Sequence, residues 1–280
     1  MKYGILVPFV LWGLFITTPL HAKSLDGVFT HEDTLSYVGY EVRRCYDSQK
    51  GMWFATLEKE GKVLATFKND GYRKEMNNFG LFPFLGTKVK QLVIEQYSGG
   101  AHCCWSYWIL KLGPDLDVIY ESQEYPVGYG LTPLDLDQDG VFEFTQALLT
   151  FDYFDRLPHA LSPLPAVVFK YEEKNSRYLP ANQIFANYLL NGIEEDTERV
   201  REFQKKTDLT TCDDARGEYL SLVFEVVLRY IYAGKEKEGW LFYEKEYHLP
   251  DREEMRSKIK KKLESCPVYR EIYAPREKRG

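Results

Sequence analysis

Asp135-Leu136-Asp137-Gln138-Asp139-Gly140-Val141-Phe142-Glu143 sets four carboxylates and a glycine directly ahead of an apolar stretch that runs to Phe151. Carboxylates at alternate positions of a tight loop can turn inward together. Such a set of hard oxygens suits calcium, which takes about six to eight of them in flexible geometry. Asp135, Asp137, Asp139 and Glu143 would supply carboxylates, Val141 its backbone carbonyl, and Gly140 the positive φ that folds the loop. An EF-hand would need a glutamate at its twelfth position and helices on both sides. Gln146 stands at that position, and the flanks read as strands. The stretch therefore predicts a cation loop between β-strands.

The pattern outward from the loop agrees. Strands are expected over residues 37–46, 52–58, 62–68, 90–97, 105–112, 117–122, 141–151 and 166–172, joined by short turns such as Glu58-Lys59-Glu60-Gly61 and Leu112-Gly113-Pro114-Asp115. After Pro180 the apolar period becomes helical: helices are expected over 181–206, 213–233, 239–247 and 251–265. The fold class expected is α+β, with an antiparallel β meander, sandwich or partial propeller-like segment followed by a C-terminal helical segment. The boundary is set between residues 23–176 and 177–280. The loop resembles the Asp-x-Asp-x-Asp-Gly-x-x-Asp/Glu loops between strands of calcium-binding β-propeller repeats. It occurs once, so a full repeat propeller is not expected.

Residues 1–22 read as a secretory signal peptide, with Lys2 ahead of an apolar run and Leu20-His21-Ala22 at the cleavage point. The run is shorter than the roughly 20 residues of a spanning helix, so no stable membrane span is expected after its removal. The expected location is the periplasm or the medium. The formal net charge of −6 provides no basic face, which excludes a nucleic-acid partner. The lysines at 258, 260, 261 and 262 fall toward a helix end, where the dipole favours them. With 21 Tyr and 17 Phe the chain has the makings of an aromatic β core, and sugar-binding surfaces also use such residues.

Five cysteines, Cys45, Cys103, Cys104, Cys212 and Cys266, would meet an oxidising compartment. A disulfide between Cys212 and Cys266 would close the helical array, and a bridge from Cys45 to Cys103 or Cys104, or a vicinal pair, would pin a strand. Ser98-Gly99-Gly100-Ala101-His102-Cys103-Cys104-Trp105 carries two further readings. His102 with a thiolate and Cys45 could ligate zinc or copper, or a cysteine beside His102 could be nucleophilic or redox-active. Gly99, Gly100 and His102 thus mark a possible functional turn. This segment, the loop at 135–143, Thr150-Phe151-Asp152-Tyr153-Phe154 and Ser162-Pro163-Leu164-Pro165-Ala166 together resemble a group of uncharacterised exported bacterial proteins with a Gly-Gly-Ala-His-Cys-Cys core. The resemblance spans about residues 90–172 and implies export but no activity.

His159 sits in a proline-rich loop near Asp152 and Asp155. Those residue types serve catalysis or metal binding, though a surface histidine is the simpler reading. No Gly-x-Ser-x-Gly, His-Glu-x-x-His or phosphate-cradling glycine loop occurs, and no catalytic motif is recognised. The expected function is an exported, calcium-stabilised binding or interaction protein for a protein or glycan ligand. Two alternatives stand beside it: a cell-envelope hydrolase using carboxylates near Asp135, and a thiol- or metal-handling protein built on His102, Cys103 and Cys104.

Overall fold

Leu92-Val93-Ile94 is fully buried along its whole length, which requires apolar cover on both faces of its strand. The computed structural model, which describes residues 25, 27–71, 73–86, 88–99, 105–209 and 213–274, provides that cover. The chain forms three consecutive four-stranded antiparallel sheets. Thr34–Tyr37 (β1), Tyr40–Asp47 (β2), Met52–Lys59 (β3) and Lys62–Gly71 (β4) make the first. Asn77–Phe82 (β5), Gln91–Tyr97 (β6), Trp105–Leu112 (β7) and Leu116–Glu121 (β8) make the second. Val127–Leu134 (β9), Glu143–Leu148 (β10), Ala166–Glu172 (β11) and Arg177–Pro180 (β12) make the third. Within each sheet sequence neighbours pair, so every sheet is a meander.

Alternation along the strands sorts side chains between two cores. Leu92, Ile94, Trp108 and Leu110 of the second sheet meet Val42, Ala55, Leu57 and Phe67 of the first. On the opposite face, Val93, Tyr107 and Ile109 join a larger core with Phe144, Val167, Phe169 and Tyr178 of the third sheet. Phe144 lies at its centre, 4.7 Å from Tyr120, 4.8 Å from Tyr178 and 5.2 Å from Phe169, ring centre to ring centre. The abundant aromatics are thus largely core, each burying a large apolar surface in edge, tilted or stacked contacts.

The helices are Ala186–Leu189 (α1), Ile193–Lys206 (α2), Asp213–Tyr232 (α3), Glu236–Glu246 (α4), Arg252–Ser265 (α5) and Pro267–Tyr273 (α6). Val223, Phe224, Val227 and Ile231 of α3, Tyr243 of α4 and Ile259 of α5 belong to the same core as Phe144 and Phe169. The second and third sheets and the helices therefore share one core, and the third sheet runs on to Pro180, four residues past the expected boundary. Among the described residues no helix is long and apolar enough to cross a membrane. The expected signal peptide lies outside the described residues.

All eight expected strands form, and four more accompany them. The strand expected over 37–46 is broken at Val38 and Gly39, whose φ angles of 45° and 83° make a two-residue hairpin turn between β1 and β2. Positive φ at both central residues is the turn that suits the twist of a hairpin. Valine rarely adopts it, which hid the turn in the sequence. Strand β9 carries Gly128, Gly130 and Pro133. It survives them because it is the edge of its sheet, where proline costs no ladder bond.

Candidate metal centre

The loop expected to hold a cation joins β9 to β10 at the edge of the third sheet. Its backbone is held by its own carboxylates. Val141 N–H donates to Asp139 Oδ1 at 2.7 Å, Gly140 N–H to Asp135 Oδ1 at 3.4 Å, and Leu136 N–H to Glu143 Oε2 at 2.9 Å. Gln138 and Gly140 both take positive φ, 62° and 85°. The loop also seats on the connection between β5 and β6 and on β12. Phe142 N–H donates to the Phe84 carbonyl at 2.7 Å, and Tyr178 O–H donates to the Phe142 carbonyl at 2.9 Å. Gly86 lies so close that a Cβ there would stand 2.3 Å from the Gly140 carbonyl oxygen.

Carboxylate oxygens of Asp135, Asp137 and Glu143 converge within 4.8 Å of one another, a set able to hold a metal ion. Asp139, expected as a fourth carboxylate ligand, stands outside this trio and caps Val141 instead. Val141 contributes its N–H to the loop's hydrogen bonds. Glu143 is the anchor, fully buried at the start of β10.

Sequence reasoning missed the cation already present. Lys170 of β11 reaches across the sheet with Nζ 2.7 Å from Asp137 Oδ2, 2.7 Å from Glu143 Oε1 and 3.3 Å from Asp139 Oδ2. The available signal was a lone lysine following Val167-Val168-Phe169, all buried. Burial pushes the Glu143 carboxyl above the ordinary glutamate value, against the opposing pull of Lys170 and the Leu136 N–H. Burial alone would lower the Lys170 ammonium; hydrogen bonds and charge from Asp137 and Glu143 outweigh it and raise the group. Lys170 therefore stays protonated, a monovalent cation at the mouth of a polyanionic loop.

Other expected site residues fall elsewhere. Gly99 lies two residues past the end of β6 with a φ of 92°. Gly100, His102, Cys103, Cys104 and Cys212 lie outside the described residues. Cys45 and Cys266 are free thiols, so neither is joined in the bridges expected of them. Cys45 is half-buried on β2 beside Thr56 Oγ1 at 3.7 Å. Cys266 is buried where the third sheet meets the helices, accepting from Thr150 Oγ1 at 3.2 Å. Among the described residues, hydroxyls are the polar side-chain neighbours of both.

His159 does have company. Its Nδ1 is 2.7 Å from Asp152 Oδ1, and its Nε2 is 2.5 Å from the Tyr129 hydroxyl. Asp155, the other carboxylate near it in sequence, points to Lys258 of α5 and to Arg156.

These features define an α+β protein of three stacked β meanders under a helical cover, with an acidic, lysine-bridged loop at one sheet edge. No family model matches the chain, nor does any curated protein or solved structure.

Proposed function

We propose that this chain is an exported binding protein, periplasmic or secreted, whose third sheet is clamped by calcium at the loop between β9 and β10. The observation that carries the reading is the convergence of Asp135, Asp137 and Glu143 within 4.8 Å, with Glu143 buried beneath them. Three carboxylates held this close repel one another, and a divalent cation relieves more of that repulsion than one ammonium. Calcium then displaces the Lys170 head group, whose flexible stem borders a cavity of about 580 Å³. Export follows from the charged and apolar pattern of residues 1–22 and from the resemblance across residues 90–172.

Binding rather than catalysis is favoured by a shallow aromatic surface on the first sheet. Tyr46 is 53% exposed and lies 5.1 Å from the ring of its cross-strand partner Trp53, on the same face. Such faces suit a sugar ring or a peptide side chain. The hydrolase alternative needs two carboxylates facing one cavity. The cavity beside Lys170 is lined by a single carboxylate, Glu172.

The test is titration of chelator-stripped protein with calcium, followed by calorimetry and by thermal melting. Saturable binding and a melting point several degrees higher are expected. A flat calorimetric trace with an unchanged melt overturns the calcium reading.

A further inference from the structure

We infer that Tyr129, His159 and Asp152 form a nucleophilic site that accepts an acyl group from esters. A carboxylate only accepts hydrogen bonds, so Asp152 takes the Nδ1 proton of His159. In the neutral imidazole Nε2 then carries the lone pair, and the Tyr129 hydroxyl donates to it at 2.5 Å. The order is nucleophile, base and orienting carboxylate, the geometry that activates a weak hydroxyl nucleophile.

The backbone is arranged to aim that hydroxyl. Between the pairs Thr145 with Thr132 and Ala147 with Gly128, residues 129–131 stand opposite Gln146 alone. Tyr129 sits in this bulge at a φ of 62°, a strained conformation for a bulky side chain. Bulges re-aim side chains, and strain of this kind persists where the surroundings enforce it. Gly128 permits the approach, since a Cβ there would lie 2.5 Å from Leu149 Cδ1. The base is held as firmly. Ser162 Oγ accepts from Tyr153 N–H at 2.9 Å and donates to the Pro158 carbonyl at 3.0 Å, tying both ends of the loop that carries Asp152 and His159.

Burial, with the nearby charges of Asp152 and Tyr153, raises the Tyr129 phenol above its ordinary value. The phenol therefore stays protonated and needs a base to react. Tyr129 is half-buried and the neighbouring Tyr153 is 59% exposed, which places the relay at the protein surface.

The step balances without a cofactor. Tyr129 Oη attacks the ester carbonyl carbon and gives its proton to His159 Nε2. Collapse breaks the bond to the alcohol oxygen, which leaves with the proton from the imidazolium. Water, deprotonated by the same imidazole, then cleaves the aryl ester to a carboxylic acid and restores the phenol. Tyr129 and His159 are the catalytic residues, and Asp152 is a positioning residue.

The experiment treats the full chain with p-nitrophenyl acetate and follows acetylation of each tyrosine by peptide mass spectrometry. Tyr153 serves as the internal control, because it is more exposed yet lies outside the relay. Tyr129 should label at least tenfold faster than Tyr153. Tyr129→Phe, which keeps the ring, should slow p-nitrophenolate release, and His159→Gln should bring Tyr129 down to the rate of Tyr153. Asp152→Asn should lower kcat for p-nitrophenolate release with KM little changed, since the imidazole loses the carboxylate that orients it; a merely structural role would change both together. Labelling of Tyr129 no faster than Tyr153 in the wild-type chain, or an unchanged rate in His159→Gln, overturns the assignment.

Discussion

Replacing Lys170 with methionine tests the acidic loop most directly, because it removes the ammonium and keeps much of the stem's volume. Wild-type Lys170 bonds the fully buried carboxyl of Glu143 and the more exposed Asp137 and Asp139. Removing one partner of a fully buried ion pair costs about 3–5 kcal/mol. Here the lysine side chain keeps 24% of its exposure and that of Asp137 keeps 36%, so solvent screens part of the loss. A penalty of about 2 kcal/mol follows. For a chain of this size that is a fall of roughly 4–8 °C in melting temperature, measured in chelator at neutral pH. The penalty should shrink on acidification. Glu143 is raised in the folded state, so as pH falls its carboxyl becomes neutral already above the ordinary value of 4.5 and no longer needs a counter-ion. Lys170, also raised, contributes fully below its ordinary 10.5, so its own titration does not enter that range. Calcium should reverse the loss, since a ligand at a hundredfold excess over its Kd adds about 2.7 kcal/mol. A Lys170→Met protein that melts with the wild type in chelator would refute the ion-pair estimate. One that is destabilised yet indifferent to calcium would refute the clamp.

Gly86→Ala should destabilise the fold by about 2–3 kcal/mol in urea unfolding, since alanine meets both a φ of 64° and the Gly140 carbonyl. Val38→Asn should add about 1 kcal/mol, because asparagine tolerates the left-handed turn and Val38 is half exposed. Asp155→Asn should lower stability at neutral pH by loosening α5. Burial raises this carboxyl, but the Lys258 hydrogen bond and the charges of Lys258 and Arg156 outweigh it and hold it below its ordinary value of 3.8. The wild-type advantage is thus complete above that value and disappears as pH falls through the lowered one, which paired melts between pH 2 and 7 would follow. Cys266 should resist alkylation in the folded chain and react on unfolding, as its thiol is buried; Cys45 should react without denaturant.

Strand positions were legible where burial imposes a pattern and obscure where a turn or an edge relaxes it. Residues 90–97 read as a strand and residues 213–233 as a helix because the burial of Leu92, Val93 and Ile94 and of Tyr219, Leu220, Val223 and Val227 imposes those patterns. Strand β9 was unreadable because Gly128, Gly130 and Pro133 are turn formers that an edge tolerates. The acidic loop was legible from spacing alone, but its partner was not. Lys170 reaches Glu143 only through the pairing of β10 with β11, whose register sets Phe144 opposite Phe169. His159 was legible as a candidate, yet Tyr129 reaches it across 30 residues through an irregular bulge that no local pattern announces.

The loop's connections determine what a cation there would do. Phe142 follows Gly140 and Val141 directly; its N–H is bound by Phe84 and its carbonyl by Tyr178. Phe84 and Tyr178 are fully buried, and their rings meet each other and Phe144 at the centre of the large core. A force on Gly140 or Glu143 is therefore transmitted to the seam between the second and third sheets rather than dissipated in the loop. Cation binding should for that reason slow hydrogen exchange at the Phe142 amide and along β10. The first sheet, which packs on the far face of the second through a separate core, should exchange as before. Equal protection of all three sheets on adding calcium would mean that the ion acts on global stability alone. Protection limited to residues 135–141 would mean that the loop is uncoupled from the core.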